Sequence, residues 1–66
     1  MSLTINGTAR RFDGPLSVAE LLERLELTGK RIALERNGEI VPRGSFQEQR
    51  LADGDKLEVV VAVGGG

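Results

Sequence analysis

Cysteine and histidine are both absent from this 66-residue sequence. Without cysteine the chain has no disulfides, no thiolate metal ligands and no thiol nucleophile, and without histidine it lacks the commonest acid/base catalyst. We therefore expect no catalytic side chains, no metal site and no enzyme activity. A small domain without disulfides is compatible with the cytoplasm, where we expect the protein to work.

Aromatic side chains and excess charge are also scarce. Phe12 and Phe46 are the only aromatics, and the formal net charge is -1. Nucleic-acid binding usually needs a basic surface with stacking aromatics, so we expect no such partner. No apolar run approaches the roughly 20 residues that span a bilayer, and Asn6-Gly7 interrupts the start before any signal-peptide region forms. We expect no membrane association and a monomer when the protein is free.

Glycine is abundant at the C-terminus, where Gly64, Gly65 and Gly66 follow the apolar run LEVVVAV of residues 57–63. Glycine has no Cβ and can enter a narrow slot. Residues 63–66 reach about 13–14 Å, which suits delivery of a carboxylate into another protein's active site. The alternative is a flexible spacer. We divide the chain into a domain at 1–63 and a flexible tail at 64–66.

Turn-forming residues separate the predicted strands. Asn6-Gly7 and Asn37-Gly38 are each flanked by short strand-like segments, as in two-residue hairpins. Residues 53–55, Asp-Gly-Asp, indicate a tight turn, and two carboxylates are too few ligands for specific metal binding. The last strand, from residue 56 to 63, is the most apolar. It is expected at the centre of the sheet, parallel to the first strand.

One helix is predicted, beginning at Ser17. Ser17 and Glu20 have the spacing of a capping box, and Gly29 is expected as the left-handed residue that ends the helix. The predicted order is β-β-α-β-β-β. Burying both apolar surfaces then requires an α+β fold, a mixed sheet of four to five strands with one helix packed across one face.

This order, together with the C-terminal Gly-Gly, resembles the ubiquitin-like β-grasp fold. The Asn6-Gly7 hairpin is followed by four characteristic segments: SVAELL (17–22), RNGEIVPR (36–43), LADGDKLEVV (51–60) and VGGG (63–66). In these segments the chain resembles, within that fold, the ThiS family of bacterial sulfur carriers in thiamine biosynthesis. The resemblance covers essentially the whole chain.

The resemblance implies a sulfur-carrying role for Gly66. Its carboxylate would be adenylated by an E1-like enzyme of the ThiF type, which uses ATP and magnesium. A cysteine desulfurase or another persulfide donor would then supply sulfur to form a thiocarboxylate. A thiazole synthase of the ThiG type would take that sulfur for the thiazole ring of thiamine. Gly64 and Gly65 would enter the partner's active site, and the chain itself would bind no cofactor.

Alternation along the last strand predicts a docking surface. Residues 57, 59, 61 and 63 share one face, which we expect to pack on the helix, so Val60 and Ala62 would lie on the open face of the sheet. Exposed apolar groups beside the tail suggest a patch that binds the E1-like enzyme. Other functions remain open: a carrier for molybdopterin or another sulfur pathway, a ubiquitin-like protein modifier, or a non-reactive binding module.

Overall fold

The computed structural model describes residues 1–62. Five strands and one helix follow in the predicted order, and a short 3-10 helix precedes the last strand. Their bounds are β1 (Ser2–Ile5), β2 (Thr8–Arg11), α1 (Val18–Arg24), β3 (Ile32–Arg36), β4 (Glu39–Val41), the 3-10 helix (Arg43–Ser45) and β5 (Lys56–Val61). The 3-10 helix follows β4 directly, after Pro42 alone.

The strands form one mixed sheet in the order β2-β1-β5-β3-β4. β1 runs parallel to β5, and the other neighbouring pairs are antiparallel. The last strand is therefore central and parallel to the first, as predicted. Both hairpins turn as expected, because Asn6 and Gly7 have φ values of 50° and 82°, and Asn37 and Gly38 have 51° and 87°. A two-residue hairpin of this type needs a positive φ at both central positions.

The N-terminus of α1 has the predicted capping box. The Ser17 hydroxyl accepts a hydrogen bond from the Glu20 N–H at 3.1 Å, and Glu20 Oε1 accepts one from the Ser17 N–H at 2.9 Å. Hydrogen bonds from the main chain and side chain of Ser17 lower the pKa of Glu20. Two of the N–H groups that a helix start leaves without partners are satisfied in this way.

The predicted C-terminus of the helix is wrong. α1 ends at Arg24, and the left-handed residue that follows it is Glu26 (φ 59°), not Gly29. The Glu26 N–H bonds the Glu23 carbonyl at 3.0 Å, and the Leu27 N–H bonds the Leu22 carbonyl at 2.9 Å. These two bonds form a Schellman motif. The early end turns Leu27 back onto the core, so packing overrides the preference for glycine at this position.

The core lies between α1 and one face of the sheet. The helix contributes Val18, Leu21 and Leu22, which are buried as the apolar stripe predicted, while Leu25 is only partly buried. Phe46 packs against the edge of this core. The buried hydrophobic residues are Leu3, Ile5, Leu16, Val18, Leu21, Leu22, Ile32, Leu34, Val41, Leu51, Leu57 and Val59. Within residues 1–62, no helix has the length and hydrophobicity needed to span a bilayer.

Candidate functional site at the end of strand β5

The main chain stays hydrogen-bonded to the sheet along β5 and as far as Ala62, the last described residue. β5 lies between β1 and β3, and Val61 is paired with Ile32. One residue further on, the Ala62 N–H donates to the Arg31 carbonyl at 2.9 Å. Residue 63, the predicted end of the last strand, the predicted tail residues 64 and 65, and the predicted sulfur-accepting residue, Gly66, lie outside the described residues. The tail predictions and the division at residue 63 therefore remain predictions.

Asn6 forms hydrogen bonds to β5 close to this end of the sheet. Its side-chain Nδ2 donates to the Val59 carbonyl at 3.0 Å, and its Oδ1 accepts from the Val59 N–H at 2.7 Å. The Asn6 main-chain N–H also donates to the Leu57 carbonyl at 2.9 Å. The side chain thus continues the parallel β1–β5 pairing by one further step. The sequence analysis assigned Asn6 only to a turn, because asparagine is common in such turns. The sequence pattern gives no separate signal for the hydrogen bonds between its side chain and Val59.

The two faces of β5 are largely as predicted. Leu57 and Val59 are buried beneath the helix, whereas Val60 is 59% exposed and Ala62 is exposed on the open face. Val61 was expected under the helix but is 38% exposed. Because α1 ends at Arg24, Val61 is not fully covered, and it lines a hollow of about 240 Å³.

The open face of the sheet carries a small apolar patch beside the end of β5. Val60 pairs with Ala33 of β3, and we refer to Ala33, Val60 and Ala62 as the open-face patch. The next pair on this face of the two strands is Glu35 with Glu58, so carboxylates border the patch on one side. The patch is therefore apolar at its centre and acidic along this border.

Ile40 is a further apolar residue on the open face that the sequence analysis did not single out. It pairs with Glu35 and is 79% exposed on the edge strand β4. The alternation of β4 contained the signal, because its neighbour Val41 is buried. Glu35 and Glu58 lie between Ile40 and Val60. Ile40 is therefore on the same face as the open-face patch but separate from it.

Asp55 has a structural role larger than that of a turn residue. Its side chain is mostly buried, and Oδ2 accepts hydrogen bonds from Arg36 Nε and the Ala52 N–H, both at 2.8 Å. Oδ1 accepts from Asn37 Nδ2 at 3.1 Å. Burial raises the pKa of Asp55, but the hydrogen bonds from Ala52, Asn37 and Arg36 outweigh it and leave the pKa below its usual value. The carboxylate thus ties the β3–β4 hairpin to the start of β5.

Among residues 1–62, the acidic side chains form no group of three or more that is arranged to hold a metal ion.

Comparison with known proteins shows the family to which this chain belongs. Residues 3–66 match the sequence profile of the ThiS family. The chain belongs to the ThiS family. A crystal structure of the thiamine biosynthesis protein ThiS from Geobacter metallireducens superimposes with a TM-score of 0.84 and 38% sequence identity, covering 100% of both chains. The expected ubiquitin-like β-grasp fold is thereby confirmed.

Curated relatives of this ThiS-family chain include both small proteins and parts of larger ones. The sulfur carrier protein ThiS of Bacillus subtilis is 38% identical over 50 residues, 76% of each chain. A thiazole synthase of Paramagnetospirillum magneticum is 46% identical over all 66 residues, but the chain spans only 20% of that protein's length. The chain thus corresponds to about three quarters of the smaller relative and to a fifth of the larger one.

Proposed function

We propose that this protein is a sulfur carrier of thiamine biosynthesis and that Gly66 carries the sulfur. The observation on which the proposal rests is the match to the ThiS family over residues 3–66, which extends through the terminal glycines. The Bacillus subtilis relative is named as a sulfur carrier, and two larger relatives are named as thiazole synthases. A thiazole synthase of the ThiG type is accordingly the proposed recipient of the sulfur.

The proposed chemistry begins with activation of the Gly66 carboxylate. A carboxylate is a poor acyl donor, and an E1-like enzyme of the ThiF type would join it to AMP, releasing pyrophosphate from ATP. The terminal persulfide sulfur of a cysteine desulfurase or another donor would attack the acyl carbon and expel AMP. A thiol would then attack the donor's cysteine sulfur in the resulting acyl disulfide, form a disulfide with that cysteine and release the thiocarboxylate.

The amino-acid composition of the chain favours activation by a partner enzyme rather than by the chain itself. A chain without cysteine or histidine has neither a thiol nor an imidazole for the activation step. ATP and magnesium would therefore be held by the activating enzyme, which stabilises the charge on the phosphates. The carrier supplies the acyl group and a surface by which it is recognised.

The open-face patch is the proposed docking surface for the activating enzyme. Val60 and Ala62 are exposed, apolar and within a few residues of the proposed reactive terminus. An enzyme that receives the tail must also contact the surface from which the tail extends. Continuity between patch and tail is thus the reason to assign both to one partner.

Intact-mass spectrometry tests the proposed chemistry. The protein would be incubated with a ThiF-type enzyme, ATP, magnesium, a persulfide donor and a thiol, beside a matched variant that lacks Gly65 and Gly66. We expect a mass gain equal to the replacement of one oxygen by sulfur, and none in the shortened variant. No gain with an enzyme mixture that activates a known carrier would contradict the proposal and favour a non-reactive binding module.

A second assay identifies the recipient. The thiocarboxylate form would be supplied to a ThiG-type thiazole synthase and, in parallel, to a molybdopterin synthase large subunit. We expect thiazole formation and loss of the added sulfur mass only with the thiazole synthase. Transfer only to the molybdopterin enzyme would retain the carrier chemistry but change the pathway.

A further inference from the structure

A groove of about 730 Å³ lies on the helix side of the domain, away from the open face of the sheet. It runs between the C-terminal end of α1, the start of β3 and the 3-10 helix. Apolar side chains contributed by these segments form its floor: Leu22, Leu27, Ile32 and Phe46. Leu27 and Phe46 are only partly buried, so apolar surface remains accessible there. The volume is in the range of sites that accommodate a small ligand or a few side chains of a peptide.

The rim of this groove is positively charged. Lys30, Arg31 and Arg43 line it and are exposed, and Glu23 is the one acidic residue among the lining residues in the described part of the chain. None of the three cations belongs to a salt bridge within residues 1–62. A chain with a net charge of -1 thus concentrates three basic side chains around an apolar floor.

We propose that this groove binds an acidic, partly apolar peptide segment of a protein partner. The apolar floor would accept one or two hydrophobic side chains, and the three cations would pair with flanking carboxylates. An arrangement of this kind favours acidic segments and disfavours basic ones, since like charges at the rim repel. The open-face patch differs from it in that two carboxylates, Glu35 and Glu58, border one of its sides. The two surfaces would therefore recognise different segments.

The position of the groove indicates how a partner could use it. The carbonyl of Arg31 accepts the hydrogen bond from the Ala62 N–H, so the rim begins beside the end of β5. A protein that engages the chain beyond Ala62 would lie within reach of the groove. This inference concerns recognition alone and is independent of the sulfur chemistry proposed above.

An NMR titration tests the proposal on the full-length protein. The probe is a capped pentapeptide of alternating acidic and apolar residues (DLEFD). Phe46 lines the groove and Phe12, the second of the two phenylalanines, does not, so their ring signals form a matched pair of reporters. We expect shifts at Phe46, Gly29 and Gly44 but not at Phe12. The expected Kd is below about 1 mM at low salt and should weaken as salt screens the rim.

Charge-reversal variants identify the rim residues. Arg43→Glu and Lys30→Glu should each weaken DLEFD binding at least about fivefold, because each replaces an attraction with a repulsion. Arg11→Glu makes the same charge change on the exposed strand β2, outside the groove, and should leave binding unchanged. Amide spectra of all three variants check that the fold is retained.

Control ligands decide between a peptide groove and simpler explanations. A peptide with lysines in place of the acidic residues (KLKFK) should not bind. Comparable binding of KLKFK would overturn the proposal by showing that the rim has no role. Equal shifts from inorganic phosphate alone would also overturn it in favour of an anion site, as would an absence of shifts at Phe46 with DLEFD.

Discussion

Asn6 and Val59 are joined by two hydrogen bonds from one side-chain amide to both main-chain groups of the other residue, across 53 positions of sequence. The contact lies where the β1–β2 hairpin meets the central strand. The amide therefore imitates a strand neighbour and extends the support of β5 towards its C-terminal end. This contact leads to a prediction about the stability of the fold, and the left-handed conformation of Glu26 provides its control.

Asn6→Gly should destabilise the fold. Glycine keeps the positive φ of this position but removes both hydrogen bonds to Val59, and it also makes the unfolded chain more flexible. We expect the free energy of unfolding to fall by roughly 1–3 kcal/mol. Chemical denaturation followed by circular dichroism measures it. An unchanged denaturation midpoint would show that water replaces the hydrogen bonds of the amide without loss of stability.

Glu26→Gly should have the opposite effect and provides the matched control. Glu26 is exposed, has φ 59° in the Schellman motif, and its side chain makes no hydrogen bond within residues 1–62. Glycine removes the left-handed strain of a residue with a Cβ, about 1–2 kcal/mol, and part of this gain is offset because glycine makes the unfolded chain more flexible. We expect the free energy of unfolding to rise by about 0.5–1 kcal/mol, measured by the same denaturation. A fall would mean that the strain at this position is already relieved.

Asp55→Asn should reduce stability in a pH-dependent way. The folded pKa of Asp55 is lowered, so its carboxylate stabilises the fold fully above the unfolded pKa. That contribution is lost as pH falls through about 4 and on towards the lower folded value. We expect the variant to be less stable at pH 7 by roughly 1–3 kcal/mol, with the difference shrinking in acid.

Asp13→Asn is the control for this pH experiment. Asp13 is exposed, and its side chain makes no hydrogen bond or salt bridge within residues 1–62. Its substitution removes the same charge without removing a hydrogen bond, and it should leave the free energy of unfolding at pH 7 close to that of the unsubstituted protein. Denaturation curves from pH 2 to 7 would provide the measurement. A difference for Asp55→Asn that stays constant down to pH 2 would contradict the assigned role of the carboxylate.

Val60→Asp should weaken activation by the E1-like enzyme without unfolding the domain. Val60 is 59% exposed at the centre of the open-face patch, so a carboxylate there disrupts an apolar contact rather than the core. We expect kcat/KM for ATP-dependent pyrophosphate release to fall at least about tenfold, mainly through KM. Ile40→Asp changes an even more exposed residue of the same face and should have a smaller effect. Equal effects of both variants would argue against the patch.

Features with a local cause were predictable from the sequence. Asn6-Gly7 and Asn37-Gly38 form their turns because their own backbone preferences favour positive φ, and Ser17 with Glu20 caps the helix with groups three residues apart. The exposure of Val60 follows from the alternation of β5. Each of these features depends on residues that are neighbours in the chain.

Features that depend on distant neighbours were not predictable. Helix α1 ends at Arg24 because Leu27 reaches the core and its N–H bonds the Leu22 carbonyl, so Glu26 adopts a conformation that local preference assigns to glycine. Val61 lies on the expected face, but its exposure depends on where α1 stops. The spacing of residues in the sequence predicts neither the end of α1 nor the exposure of Val61.

By itself the sequence determined the order of the elements, their turns, the resemblance to sulfur carriers and the absence of thiol or imidazole chemistry in this chain. Only the tertiary structure placed Asn6 against Val59, gathered three hydrogen bonds from side chains and main chain onto Asp55, and brought Lys30, Arg31 and Arg43 to one groove. The physical reason is distance along the chain. Local backbone preferences act between near neighbours, whereas these contacts join segments that are far apart along the chain and meet only in the folded domain.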